Sequence, residues 1–184
     1  MFVNAKESIY NYDYAMLLDY LKEQGEPSFR AAQIFDWLYH KRVQSFEDMS
    51  NLSKGLREKL QRDFVINTLT LKDYQVSKDE TTKFLLECSD GALIETVLMR
   101  QPYGYSVCLT SQVGCAMGCK FCASGLLKKK RNLFTSEIMN QILFAQRYLD
   151  KQDKRISHIV MMGIGEPFDN YRYVMRFLQM VNDE

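Results

Sequence analysis

The chain of 184 residues sets 24 lysines and arginines against 23 aspartates and glutamates, a formal net charge of +1. That balance excludes a whole-surface polyanion binder, so any nucleic-acid affinity has to come from local patches. With 46% hydrophobic and 26% charged residues the composition is globular and excludes a disordered chain. No run approaches the ~18 apolar residues of a membrane span. Met1 to Asn11 shows no basic stretch followed by an apolar one, so no signal peptide and a cytoplasmic location are expected.

In chain order, Tyr14, Leu17, Leu18 and Leu21 fall at helical spacing, and Gly25-Glu26-Pro27 ends that helix. Ala31, Ile34, Phe35 and Leu38 repeat the spacing in a second helix, and Leu52, Leu56, Leu60 and Phe64 form the stripe of a third. Three such faces bury one another, so residues 1–67 are expected to form a small helical module.

From Thr68 the period changes. Leu69 to Val76, Thr82 to Cys88 and Ala92 to Met99 are short runs rich in branched residues, and Ser89-Asp90-Gly91 is a turn signal. Residues 68–101 are therefore expected to be a small antiparallel β segment, with Gln101-Pro102-Tyr103-Gly104 as a domain boundary. Over 102–184 the pattern becomes βαβα. Tyr105 to Ser111 is a strand, Thr135 an N-cap for a helix with Ile138, Ile142, Ala145 and Leu149 on one face, Ile156 to Met162 a second strand, and Tyr173 to Val181 a second helix. Such alternation predicts an α/β fold with the first units of a parallel sheet or (β/α) barrel.

Chemistry concentrates in Cys115-Ala-Met-Gly-Cys119-Lys-Phe-Cys122, a CxxxCxxC loop. Five cysteines are an odd number, and three of them in eight residues point to metal ligation rather than to a disulfide framework. Three thiolates from one loop can hold three irons of a cubane and leave the fourth open to bind and reduce a small molecule. Gly114 and Gly118 would let the backbone fold closely around it. A zinc site is the alternative, but it wants four ligands in paired spacing, and here only His158 or Cys108 could complete it.

The motif resembles that of the radical S-adenosylmethionine (SAM) superfamily, in which an aromatic residue, here Phe121, precedes the last cysteine. Gly163-Ile-Gly165-Glu166-Pro167, directly after the second strand, looks like that superfamily's glycine-rich SAM-binding position. The match narrows over Cys108-Leu-Thr-Ser-Gln-Val-Gly-Cys115, Cys119-Lys-Phe-Cys122-Ala-Ser-Gly125 and Met162-Gly-Ile-Gly-Glu-Pro-Phe-Asp-Asn170. Together with Phe29 to Tyr39 and Ser45-Phe46-Glu47-Asp48-Met49, these stretches resemble the RlmN/Cfr family, with Gly165 to Asn170 favouring its RlmN branch.

That resemblance implies a truncated radical SAM partial barrel behind an accessory RNA-binding module. It also implies a 4Fe-4S cluster on Cys115, Cys119 and Cys122, with SAM at Gly165, Glu166 and Phe121. The activity it implies is methylation of adenine C2 in 23S rRNA and tRNA through a methyl-cysteine, with an electron donor for the cluster and a monomeric full-length protein. Cys108 corresponds to a thiol that resolves the RNA–protein crosslink, and Glu95 to the family's proton acceptor. Taken alone, Cys108 reads as a buried strand cysteine and Glu95 as a solvent-facing strand residue.

Cys88 reads as core, and His40 and His158 as structural or surface residues. Lys128 to Arg131 are either a solvated loop or phosphate contacts, to which Arg30, Lys41, Arg42 and Arg57 could add. Family members are longer, and the methyl-carrying cysteine near their C-terminus has no counterpart, since no cysteine follows Cys122. This chain alone is therefore expected not to complete methyl transfer. C8 methylation of the Cfr type, or a non-catalytic RNA-binding fragment, are the alternatives.

Overall fold

The computed structural model describes residues 6–182. Residues 1–5 and 183–184, the ends of the expected first and last domains, lie outside the described residues, and residues 1–5 also belong to the segment read for a signal peptide. The chain divides into two compact units, residues 1–67 and 68–184.

In the first unit, β1 (Glu7–Ser8) pairs in parallel with β2 (Phe64–Val65), and three helices lie between them. α1 (Tyr14–Glu23) begins where Asp13 Oδ1 accepts the Met16 N–H at 2.9 Å. α2 (Phe29–Phe35) runs on into a π-helical turn over Asp36–His40. α3 (Lys54–Asp63) is capped by the Ser53 hydroxyl, which accepts the Leu56 N–H at 3.2 Å. Leu17, Leu21, Ala31, Ile34, Leu38, Leu56 and Leu60 are buried together, the faces that their spacing predicts. Tyr14 is the departure: it is exposed and lies edge-on to Phe35.

The second unit is built on a five-stranded sheet ordered β3 (Leu69–Val76), β4 (Thr82–Cys88), β5 (Leu93–Gln101), β6 (Gly104–Cys108) and β9 (Ile156–Val160). A short antiparallel pair, β7 (Gln112–Val113) with β8 (Arg131–Asn132), stands apart from it. α4 (Thr135–Asp150) leads from β8 to β9, and α5 (Tyr171–Asn182) follows. Period-2 alternation sends Phe84, Leu86, Ile94, Thr96 and Leu98 to one buried face. There Phe84 meets Phe144 and Tyr148 of α4 edge-on.

The structure corrects three expectations. Gln101 to Gly104 is a tight hairpin turn rather than a domain boundary: Gln101 pairs with Gly104 and Val97 with Cys108, so the β segment and the βα units share one sheet. Gly104 serves here because its φ is +131° and a side chain would strike Ser157. The sheet is mixed, since within it only β6 and β9 run parallel. Thr135 is the first residue of α4 and not its cap; Glu137 accepts the Phe134 N–H at 2.8 Å, and the Thr135 hydroxyl donates to the Tyr173 carbonyl. Among the described residues no helix is long and apolar enough to cross a membrane.

Candidate cofactor and cluster site

In parallel sheets, functional loops gather where strands end. β6 and β9 are neighbours, and each runs at its carboxyl end into one of the two motifs that the sequence singles out. After Cys108 the chain leaves the sheet, because the next backbone groups bond to the glycine loop. Gly163 N–H donates to the Leu109 carbonyl (3.0 Å) and Ser111 N–H to the Ile164 carbonyl (3.0 Å). Strand pairing therefore stops at Cys108 and Val160, short of the expected Ser111 and Met162.

The cysteine loop is clamped at its base by β7 and β8. Lys130 N–H donates to the Val113 carbonyl (2.7 Å) and Cys115 N–H to the Leu127 carbonyl (2.9 Å). Gly114 has φ +75°, and a side chain there would collide with the Lys128 carbonyl. Within the loop, Cys122 N–H donates to the Cys119 carbonyl (3.1 Å) and Gly125 N–H to that of Cys122 (3.0 Å). Cys115 is half-buried, Cys119 and Cys122 are exposed, and all five cysteines are unbridged. Hydrogen bonds from the hydroxyl and N–H of Ser124 hold the Cys122 thiol below its ordinary pKa. Phe121 projects into solvent, 94% exposed.

Among the described residues no three Cys, His, Asp or Glu side chains are gathered as a ready metal-binding group. The fit to an iron–sulfur cluster rests on the donor set, three unbridged soft thiols on one tightly based loop.

The glycine loop lies directly over residues 109–112. Its glycines are required by that closeness. A Cβ at Gly163 would sit 2.6 Å from the Leu109 carbonyl oxygen, and one at Gly165, where φ is +103°, 2.6 Å from Gln112 Cβ. Thr110 Oγ1 accepts the Ile164 N–H (3.2 Å) while donating to the Glu95 carbonyl. Glu166 Oε1 accepts the Phe168 N–H (3.0 Å) and so caps the 3-10 turn Pro167–Asn170.

Glu95 and Cys108 are brought onto one face. Cys108 pairs with Val97, and Glu95 lies two residues from Val97 on the sheet side opposite α4. The Glu95 carboxylate is ion-paired to Lys83 at 3.0 Å. Burial pushes the Cys108 thiol above its ordinary pKa, against the Met162 N–H that favours its thiolate. Cys88, buried beside Glu137, is pushed up to about 12. Iodoacetamide on the metal-free chain at neutral pH is therefore expected to label Cys119 and Cys122 first, Cys108 slowly and Cys88 last. Mass spectrometry that finds Cys88 labelled as fast as Cys122 would contradict this burial order.

Residues 8–66 match the sequence profile of the ribosomal RNA large subunit methyltransferase N-terminal domain, of the RlmN type. A probable dual-specificity RNA methyltransferase RlmN of Lysinibacillus sphaericus is 59% identical over 181 residues, covering 98% of this chain and 48% of the relative. The corresponding protein of Streptococcus gordonii is 58% identical, covering 97% and 50%. Among solved structures, a radical SAM methyltransferase from Sphaerobacter thermophilus superposes with a TM-score of 0.92 at 38% identity, over 97% of this chain and 52% of that one. The chain is thus similar to RlmN-type methyltransferases along almost its whole length. It spans about half the length of the curated relatives it matches.

Most of the basic residues read as phosphate contacts have partners of their own. Lys129 pairs with Asp169 (2.6 Å), and Arg131 with both Asp90 (2.7 Å) and Glu137 (2.8 Å). Lys41 pairs with Asp36 and lies over the Trp37 ring. Arg30, Arg42 and Arg57 donate to the carbonyls of Asn51, Tyr39 and Glu47. His40 contacts Asp36, and His158 lies against Tyr103 at the surface, away from the cysteines in sequence.

Three residues that join the two loops escaped the sequence reading: Thr110, Gln112 and Asn170. All are buried polar side chains. Asn170 Nδ2 donates to the Ser111 (2.8 Å) and Leu133 (2.9 Å) carbonyls and so fixes the end of the glycine loop. Their only signal was membership in the stretches that carry the family resemblance.

Proposed function

We propose that this chain is part of an enzyme that methylates C2 of adenine in 23S rRNA and tRNA. In this reading Cys115, Cys119 and Cys122 hold a 4Fe-4S cluster, and SAM is received at Gly165 and Glu166 with Phe121 beside it. The observation that carries it is the hydrogen-bonded joining of the cysteine loop's base to the glycine loop, at the carboxyl ends of adjacent parallel strands. When bound, the cluster and SAM supply one-electron chemistry, which suits an adenine ring carbon too weakly nucleophilic for polar methyl transfer.

The chain's own residues prepare the rest. Gly163 and Gly165 seat the glycine loop against residues 109–112, at the strand ends where SAM would be received. The Lys83 ammonium holds the Glu95 carboxylate in place on this face, where it would act as the proton acceptor. Cys108, on the same face, is the thiol available to resolve the crosslink; burial keeps it protonated until a base is near. Arg30, Arg42 and Arg57 supply sequence-independent attraction for the RNA backbone. Substrates of this kind place the enzyme in the cytoplasm, where a reductant must feed the cluster.

The test is anaerobic reconstitution with iron and sulfide, followed by EPR of the reduced protein with and without SAM. A four-iron signal that changes when SAM is added supports the reading. A cluster indifferent to SAM counts against the SAM site, and zinc bound without iron or sulfide would replace the cluster altogether.

A further inference from the structure

Gln112 lies in the stretch Cys108 to Cys115 without an assigned role, yet it is fully buried and every polar atom of its side chain is used. Oε1 accepts the Glu166 N–H at 3.0 Å, while Nε2 donates to Asn132 Oδ1 at 2.7 Å and to Asp169 Oδ2 at 3.0 Å. Its own backbone N–H reaches the Ile164 carbonyl at 3.2 Å, and the absent side chain of Gly165 is what lets the loop rest on its Cβ and Cγ. Asp169 in turn holds Lys129 at 2.6 Å, one residue before the Lys130 that closes the cysteine loop's base; the same lysine keeps the Asp169 carboxyl below its ordinary pKa.

A packing residue at this point would need only volume. A side chain that satisfies one loop's N–H with its oxygen and two further segments with its nitrogen fixes a relative position instead. Asn132 lies in β8, which seals the cysteine loop, and Glu166 lies in the glycine loop. We infer that Gln112 is a positioning residue that holds the Glu166 backbone in its ligand-receiving place and sets that place against the base of the cysteine loop. The ligand-receiving role rests on the proposed SAM site; the mechanical tie between the two loops does not.

The polarity of the contact provides the test. In Gln112→Glu an acceptor replaces the Nε2 donor and faces both Asn132 Oδ1 and the Asp169 carboxylate, whereas the double variant Gln112→Glu/Asp169→Asn restores the second of these hydrogen bonds with donor and acceptor exchanged and leaves one carboxylate beside Lys129. Two readouts are taken on the chain. One is hydrogen exchange of the Glu166 amide without any cofactor; the other is the SAM dissociation constant after reconstitution, with iron content measured alongside. We expect Gln112→Glu to keep its iron, to exchange the Glu166 amide about tenfold faster and to bind SAM about tenfold more weakly, the size of one buried hydrogen bond lost. The double variant should recover both.

An unchanged Glu166 exchange rate in Gln112→Glu would overturn the inference, as would a double variant that recovers thermal stability but neither readout. Should the single variant fail to fold, the double variant decides: parental exchange and affinity support the polarity argument, and losses in a folded protein defeat it. A parent chain that takes up iron but never binds SAM would defeat the SAM reading, while the exchange comparison still decides the role of Gln112.

Discussion

Replacing any one of Cys115, Cys119 or Cys122 by alanine is expected to abolish four-iron occupancy. The reason is ligand arithmetic: three thiolates are the whole protein contribution to the proposed cubane, and two cannot fix three irons. No nearby group is placed to substitute, since among the described residues no His, Asp or Glu joins these thiols in a metal-binding group. Cys108 ends β6 seven residues before Cys115, and Cys88 is sealed in the core. Cys88→Ala is therefore the control that keeps its cluster. The measurement is iron and acid-labile sulfide per chain after anaerobic reconstitution, with the reduced EPR spectrum. Full occupancy in all three variants would sink the assignment. Tight zinc uptake lost with Cys108 or His158 as well would point to a tetrahedral site.

The strands and helices were legible where their causes are local. Leu69 to Val76 and Thr82 to Cys88 were read to the residue, because short runs rich in branched residues and the turn signal Ser89-Asp90-Gly91 lie within a few positions of each other. The Gln101 to Gly104 turn was misjudged for the opposite reason. A Pro-Gly break looks the same whether it separates domains or reverses a strand, and only the pairing of Val97 with Cys108 decides. Thr135 resembles a cap by type, but the helix end is held by Glu137, whose orientation depends on Arg131 and, through it, on Asp90. The run Lys128 to Arg131 poses the same difficulty, since Asp169, which claims Lys129, and Asp90, one of the two carboxylates that claim Arg131, lie about forty residues away in either direction.

For the site, the nucleating cysteines and glycines were visible because their spacing is itself the chemistry. The polar residues that join the two loops were not. Gln112 and Asn170 bond to backbone groups brought near by the fold, and a side chain that serves a distant backbone leaves no periodic or motif trace in its own surroundings. Glu95 is intermediate: alternation gave it a strand, but only the register with β6 puts it on the face of Cys108.

Arg131 carries the largest expected effect on stability. Its guanidinium spans two carboxylates, donating to Asp90 through Nε (2.7 Å) and Nη2 (3.0 Å) and to Glu137 through Nη1 and Nη2 (both 2.8 Å). The Glu137 side chain is only 3% exposed, and it also accepts the Phe134 N–H that begins α4. One side chain thus ties the β4–β5 turn to the strand that closes the cysteine loop and to the helix that covers the sheet.

Arg131→Met removes the cation and leaves Glu137 buried beside the Cys88 thiol, which costs roughly 3–5 kcal/mol. The melting temperature should fall by on the order of 10 °C in circular dichroism. Arg131→Lys recovers only part of this, because a point charge cannot serve two carboxylates at once. Arg131→Met/Glu137→Gln should recover most of it, since the buried charge goes while the acceptor for Phe134 N–H stays.

The pH dependence has a definite sign. Arg131 holds the Asp90 carboxyl below its usual pKa, so this contribution is complete above that usual value and is lost as pH falls through the lowered one. The melting temperatures of parent and Arg131→Met should accordingly converge on acidification below about pH 4. A variant that melts within two degrees of the parent near neutrality would show that the fork is replaceable, and that α4 is held by its apolar contacts with Phe84 and its neighbours alone.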